Sequence, residues 1–398
     1  MPSPQASLRT RALVIDGGFP HHESQRQHPA FPPNKMRARN RGNAVTETDN
    51  IVAETAERIF ADLADSQNIA KSKDGAWRAP LWQALTDNGL PLSWVPEDFN
   101  GSGVSLAEGF AVLSAAGRAA VSVPLAETML AGWLLAQANI ASPDGMMAVA
   151  PASPKDRLAL NADGTVSGRA RGVPFASDAK QMAVVASGAG GVSIALIDAG
   201  ACRIERGLNL ANDPSDTVTF DSVKPVAIQP APTGFDQNSL MLMGSLVRSL
   251  QIAGALQSML DISVNYAGER VAFEKTISKF QAVQHNLARL AGETSAALAA
   301  ASSAADALSN ATSFDDAIFL EASAAKIRCS EAAEKGAAIA HQVHGAIGFT
   351  EEHILHRYTL RALAWRDDFG SESYWAVELG RLVALRGADE LWPLVASR

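Results

Sequence analysis

The hydrophobic period of this chain changes twice, and that order restricts its fold more than any single residue does. In "NIVAETAERIFADLA" and "LAEGFAVLSAAGRAA" apolar residues return at helical spacing. Between them, "GLPLSWVPEDFNGSG" is punctuated by Pro and Gly and reads as a connection. The segments "MMAVAPA", "GTVSGRARGVPFA", "QMAVVASGAGGVSIALIDA" and "DTVTFDSVKPVAI" are short, rich in Val, Ile and Thr, and broken by Gly, Asp and Pro. These are strand signals at the spacing of a sandwich or barrel. "SGAGG", Ser187 to Gly191, reads as a hairpin turn, because no helix follows it to receive a phosphate. The stretch "NSLMLMGSLVRSLQIAGALQSMLDISVNYAGERVAF" then runs 36 residues without proline, which predicts a helix of about 50 Å. A second long helix is predicted over about 276–308. "SFDD" offers a third helix its N-cap and first-turn acids after Ser313, with an end near Gly345. Shorter helices are expected from Thr350 and from Ser371. The expected fold is mainly α with a central β domain. An N-terminal helical domain covers 46–145, a middle β-barrel or sandwich 146–232, and a C-terminal four-helix bundle 233–398.

Composition narrows the function. With 398 residues, 47% hydrophobic and 19% charged, the chain is globular material for two or three domains. A net charge of −8 gives no reason to expect nucleic acid as a partner. Residues 1–43 carry seven basic and two acidic side chains, so they hold +5 and the remainder −13. Rich in Pro, His and Arg and without a hydrophobic period, residues 1–45 read as a disordered basic tail. An Arg-rich transit peptide, or a true start at Met36, are the alternatives. Cys202 and Cys329 match no metal or redox spacing and fit a reduced compartment, the cytoplasm. No apolar run reaches the roughly 18 residues that a bilayer span requires. The alanine-rich "TSAALAAASSAADALSN" predicts closely packed helices.

"HQVHGAIGFTEEHILHRY" holds His341, His344, His353 and His356, half of the chain's 8 histidines, beside Glu351 and Glu352. A metal-dependent hydrolase is the reading to test first. It requires HExxH or HxxEH, and neither occurs. "HQVH" and "EHILH" are separated by "GAIGFT", a turn expected to point them apart, so no metal is assigned. "DFG" at Asp368–Gly370 lacks every companion motif of a kinase. Backbone amides suggest more. Gly345 and Gly348 allow close approach of the main chain, and Thr350 is placed to cap the next helix. "HGAIGFT" is therefore suited to part of a dinucleotide, the alternative being a plain helix stop at Gly345.

Two segments carry a resemblance. "NYAGERVAFEKTISKFQAVQHNLARL" and "QVHGAIGFTEEHILHRYTLRA" together resemble the acyl-CoA dehydrogenase family. Its C-terminal bundle has an R-x-x-F-G-x-x-I-x-x-F-Q stretch and, later, a Q-x-x-G-G-x-G turn. Arg270, Phe273, Ile277, Phe280 and Gln281 match the first; Gln342, Gly345 and Gly348 match the second. "LWQALTDNGLPLSWVPEDFNGSG" is similar to the family's helical domain, and the likeness spans about 46–390. It implies FAD as cofactor, an acyl-CoA substrate oxidised to the 2-enoyl-CoA, an electron-transfer flavoprotein as acceptor, and a homo- or hetero-tetramer. It further implies that Arg270 pairs with the FAD pyrophosphate across a subunit boundary, a role that suits a planar, bidentate, permanent cation. Phe273 and Phe280 would flank the adenine end, bundle core being their other reading. Gln342 and the 345–348 turn would hold the dinucleotide.

The chain also departs from the family. Glu274 and Ala346 replace glycines. Gly172 and Pro174 stand where a flavin-contacting Trp and Thr/Ser are usual, and "APASPKD" replaces a T-E-P-x-x-G-S-D loop. The usual base falls at Phe369 or Gly370, and its minority position at Gly244 or Val247. Asp368 is the nearest carboxylate and the candidate catalytic base, with Asp367 and Glu372 behind it; capping of the helix from Ser371, or plain solvation, is the other reading. "FGSESYW" resembles a divergent bacterial branch acting on bulky, steroid-type acyl-CoA thioesters. There, unlike subunits pair and one lacks the base. Two readings follow: an acyl-CoA dehydrogenase acting on its own, or a catalytically inactive partner that completes another chain's FAD site.

Overall fold

The computed structural model describes residues 47–65, 69, 72 and 75–396, so the expectation of a disordered basic tail over 1–45 lies outside the described residues. The N-terminal region is helical: α1 (Glu47–Leu63), α2 (Arg78–Asp87), α3 (Leu106–Ala119) and α4 (Leu125–Gln137). α3 starts at a capping box, in which Ser105 accepts from Glu108 N and the Glu108 carboxylate accepts from Ser105 N at 3.0 Å. α4 is buried on all sides from Leu125 to Leu135, because it lies between the sheet and the helices.

Eight strands follow: β1 (Met147–Ala150), β2 (Leu158–Leu160), β3 (Val166–Pro174), β4 (Gln181–Gly188), β5 (Gly191–Asp198), β6 (Arg203–Glu205), β7 (Ser215–Val223) and β8 (Ala227–Pro230). They form one mixed sheet in the order β6-β7-β3-β2-β4-β5-β8, with β1 parallel to β4. β6 and β8 end that path and do not pair with each other, so the strands make an open sheet. Gly188 pairs with Gly191, which makes "SGAGG" the expected hairpin turn. Val184, Ala186, Ile197, Val218 and Phe220 close a small core of the sheet's own.

The C-terminal region is a bundle of α5 (Gln237–Glu269), α6 (Gln281–Ser309) and α7 (Asp316–His344), with α8 (Leu355–Trp365), α9 (Glu372–Arg386) and the short α10 (Leu391–Ala396). Asp236 caps α5 by accepting from Ser239 N at 3.0 Å. α5 holds an 18-residue window whose mean hydropathy would suffice to cross a membrane, and all of that window is buried inside the protein. Alanines make the close packing: Ala297, Ala301 and Ala304 of α6, and Ala322, Ala325 and Ala333 of α7, are buried. α3 crosses α5 at two glycines. A Cβ on Gly117 would overlap the Gln251 backbone, and one on Gly254 the Ser114 carbonyl.

Two helix ends differ from expectation, and a third, at the start of α7, falls within the expected "SFDD". α5 stops at Glu269, because Arg270 turns to extended backbone and opens a hairpin of β9 (Val271–Ala272) and β10 (Lys275–Thr276). α7 starts at Asp316, where the Asp315 carboxylate accepts from Ala317 N and Ile318 N, both at 3.0 Å. The next helix starts at Leu355, not at Thr350. Residues Gly345–Phe349 form a 3-10 turn, and Thr350 spends its hydroxyl on the Ile347 carbonyl at 2.9 Å.

Candidate functional site

The two segments that carry the resemblance meet at Tyr266, on the last turns of α5. Its ring stacks on His344 at 4.3 Å and meets His353 edge-on at 5.8 Å. Its hydroxyl donates to the His344 carbonyl at 3.4 Å. Beside this contact, Gln342, Gly345, Ala346, Phe349, His341 and Leu360 line an apolar cavity of about 750 Å³. Gln342 and Gly345 thus share one cavity, while Gly348 is buried behind it. A Cβ on Gly348 would come within 3.0 Å of His344 Cβ and 3.2 Å of His341 Nδ1, so a side chain here would press on both histidines.

The other predicted contacts lie on the hairpin. Arg270 is exposed, and its carbonyl accepts from Ile277 N at 2.8 Å, which closes the hairpin. Phe273 is 89% exposed at the tip, so bundle core is not its role. Phe273 and its neighbour Glu274 both have left-handed backbones, with φ of 52° and 66°. That conformation is strained for residues with side chains. Phe280 meets Phe273 edge-on at 6.3 Å and lies under the Lys275 ammonium at 4.4 Å. Ile277 packs against the main core, and exposed Gln281 begins α6. The hairpin and the cavity wall are therefore two surfaces joined through Tyr266, not one pocket.

The histidines are closer together than their sequence suggests. The turn folds back on itself, and the His344 and His353 rings lie 4.7 Å apart, although "GAIGFT" was expected to separate them. Among the described residues, no group of three or more His, Cys, Asp or Glu is arranged to hold a metal ion.

The second locus is the cleft between sheet and bundle. The Phe369 ring lies on Gly244 so closely that a Cβ there would overlap it. Phe369 N donates to the Ala152 carbonyl at 2.9 Å and draws the end of α8 against the loop after β1. The two positions where the resemblance seeks a base are thus in contact, and neither carries one. Asp368 points the other way. Its Oδ2 accepts from Arg248 Nε at 2.9 Å, and Arg248 Nη2 donates to Glu127 Oε1 at 2.6 Å. Arg248 is buried, with its guanidinium carbon 6.0 Å from the Trp365 ring and 5.9 Å from that of Phe369. Burial works against the Arg248 cation, but Glu127 and Asp368 outweigh it and hold its pKa above the ordinary value. Asp368 neither caps α9, whose N-cap is Ser371, nor lies free in solvent. It does border a cavity of about 290 Å³ with Gly172, Ser153, Asn209 and Leu363.

Lys326 of α7 lies behind this network. It is fully buried, and its Nζ donates to the carbonyl of Trp365, the last residue of α8, at 2.6 Å. Burial pushes its pKa down to about 7 against the pull of Asp368. A further clasp orients α8. Arg361 Nε and Nη2 donate to the two Asp213 oxygens at 3.0 Å each, Ser122 donates to the same carboxylate, and Arg78 Nη2 donates to Ser122 at 3.1 Å.

Sequence reasoning missed Arg248, Glu127 and Lys326. A signal existed for two of them: Arg248 and Glu127 are lone charges in apolar helical runs, and such charges are rarely buried without partners.

The residues fit the nucleotide part of a flavin dinucleotide and not its reactive ring. The orphaned buried His341 Nδ1, the glycine wall and the apolar cavity suit an aromatic, hydrogen-bonding group. At the cleft, Gly172 has no side chain to lay on a ring, and Pro174 has no donor.

Residues 237–372 match the model of the acyl-CoA dehydrogenase C-terminal domain. The chain is 27% identical over 320 residues to acyl-CoA dehydrogenase IpdE2 of Mycobacterium tuberculosis, a match covering 79% of this chain and 91% of that one. IpdE2 of Mycolicibacterium smegmatis is 25% identical over 322 residues, covering 80% and 93%. Among solved structures, the ChsE4-ChsE5 complex from Mycobacterium tuberculosis superposes with a TM-score of 0.76 at 22% identity, over 85% of this chain and 98% of that one. A variant of the Tcur3481-Tcur3483 steroid ACAD gives 0.74 at 25% identity, with coverage of 85% and 98%.

Proposed function

Because the chain belongs to the acyl-CoA dehydrogenase family, we propose that it is the supporting subunit of a FAD-dependent enzyme built from two unlike chains. The observation that carries this reading is the contact between Gly244 and Phe369. It fills the space beside both base positions with a phenyl ring and leaves no group there to take a proton. Asp368 is committed to Arg248. In this family the bound flavin accepts a β-hydride from the acyl-CoA while a base removes the α-proton.

The residues of this chain act at the other end of that cofactor. Arg270 offers a planar fork to a pyrophosphate of the partner's flavin. The strained hairpin projects Phe273 towards its adenine. Gln342 and the backbone of Gly345–Gly348 present hydrogen-bonding groups around an apolar cavity. The partner supplies the base, the ring-binding face and the thioester site, and passes electrons to an electron-transfer flavoprotein. The steroid enzyme among the structural neighbours supports a bulky acyl-CoA as substrate.

Co-expression tests the reading. The isolated chain should turn over no acyl-CoA, and the co-purified pair should carry flavin and be active. Turnover by the isolated chain would overturn it. A self-sufficient enzyme with Asp368 as base is the second reading, favoured by the place of Asp368 on the cleft cavity.

A further inference from the structure

We propose that the turn 345–354 is a proton-operated latch, closed while the histidines packed inside it are neutral and opened when they charge. Its effect on flavin rests on the proposed role of that turn; the latch itself does not.

The rings pack in two groups. His344 lies between Tyr266, at 4.3 Å, and His353, at 4.7 Å. His341 stacks on Phe349 at 4.0 Å, and its Nε2 is 3.0 Å from Thr359 Oγ1. His344 Nδ1 donates to the Ala340 carbonyl at 2.8 Å, and His356 Nδ1 to the His353 carbonyl at 2.6 Å. Leu355 N donates to His353 Nδ1 at 3.2 Å. Two ring nitrogens, His341 Nδ1 and His344 Nε2, are buried and have no partner.

The surroundings offer a positive charge no relief. From α5 comes Tyr266. From α7 come His341, His344 and, at the edge of the cavity, Glu334, which is paired with Arg366 at 3.2 Å. From α8 come His356 and the Arg357 cation. On the turn, Glu351 and Glu352 are exposed. Among the described residues no carboxylate pairs with any of the four rings. A proton on His344 Nε2 would be buried without an acceptor, 4.7 Å from the next ring.

The sign follows from this geometry. Burial first, and neighbouring histidines second, lower the pKa of His341 and His353; burial leads again at His344, where the neighbouring histidines act against the raising bond to Ala340. In an opened turn the rings are hydrated and titrate near their ordinary value of about 6.5. The open form therefore binds more protons. The closed turn is favoured above that value and loses ground as the pH falls through it. Each extra proton raises the open-to-closed ratio about tenfold per pH unit, and two protons raise it about a hundredfold. Two histidines switch more sharply than one.

Backbone hydrogen exchange of the full chain without flavin, corrected for the intrinsic pH dependence, is the test. Between pH 7.5 and 5.5, amides of 345–354 should exchange at least about tenfold faster, while those of β4 and β5 stay unchanged. The triple substitution His341→Gln, His344→Gln, His353→Gln should remove the difference. Corrected rates that do not depend on pH would overturn the latch. So would equal acceleration in the sheet, or acceleration that persists in the variant. Should the variant not fold, the wild-type ring titration decides. His344 and His353 must titrate below the ordinary value, and titration at that value with the turn closed overturns the proposal. Flavin absorbance of the assembled pair is the separate reading. Flavin retained while the turn opens supports the latch and removes the turn from the cofactor's contacts.

Discussion

The phenyl ring of Phe369 rests on the bare Cα of Gly244, 125 residues earlier in the chain, with no room for a methyl group between them. Gly244→Ala should therefore overpack the cleft and cost about 1–3 kcal/mol. Thermal melts should show the loss, and Phe369→Ala in the same background should recover part of it. Additive losses in the double variant would mean that the two sites do not touch.

The Arg248 network behind that contact makes an asymmetric prediction. Arg248→Met strands two carboxylates and should cost about 3–5 kcal/mol in denaturant unfolding. Asp368→Asn should cost less, because Arg248 keeps Glu127. In the assembled pair, Asp368→Asn should leave turnover intact. Loss of turnover with flavin still bound would make Asp368 the base after all.

Lys326 gives a pH dependence of opposite origin to a salt bridge. Its ordinary pKa is about 10.5, and burial lowers it to about 7 in the fold. Between those values the unfolded chain binds the extra proton, so wild-type stability should rise with pH across that window. Lys326→Met removes the buried ammonium. Its stability gain should be largest at pH 6 and shrink by about 1.4 kcal/mol per pH unit above 7. A gain that stays constant from pH 6 to 9 would show that Lys326 keeps its proton inside the fold throughout that range, so that burial does not lower its pKa.

The hairpin yields a pair of opposed changes. Arg270→Ala should lower flavin occupancy of the pair, one charged contact being worth about 1.5–3 kcal/mol. Glu274→Gly should raise it, because it removes a carboxylate beside the proposed pyrophosphate contact of Arg270 and relieves a left-handed backbone at φ 66°. Flavin content across a dilution series checks both, and equal occupancy in all three proteins would remove the hairpin from the site.

The order of helices and strands could be read from the sequence because periods of 3.6 and 2 are local. Helix ends were harder wherever a turn lacked its usual residues. The Phe273–Glu274 tip has neither Gly nor Asn, so the helix before it read four residues too long. Thr350 looked like a cap, but a 3-10 turn takes its hydroxyl. The residues proposed for the nucleotide end rest on the resemblance of two segments, and the structure sets them on a hairpin and on a cavity wall. The cleft was not legible: Asp368 meets Arg248 across 120 residues, and periodicity carries no trace of such a pairing.

The crossing of α3 and α5 has one more consequence. At Gly117 and Gly254 each helix lies against the other's peptide groups, and the alphabet shrinks to a single letter at both positions. No neighbouring side chain can retreat to make way, because the obstacle is main chain. Compensating changes elsewhere have nothing to act on. As the sequence drifts, these two positions should hold fixed while charged pairs around them come and go, and they mark where a search for remote kin of this chain is best anchored.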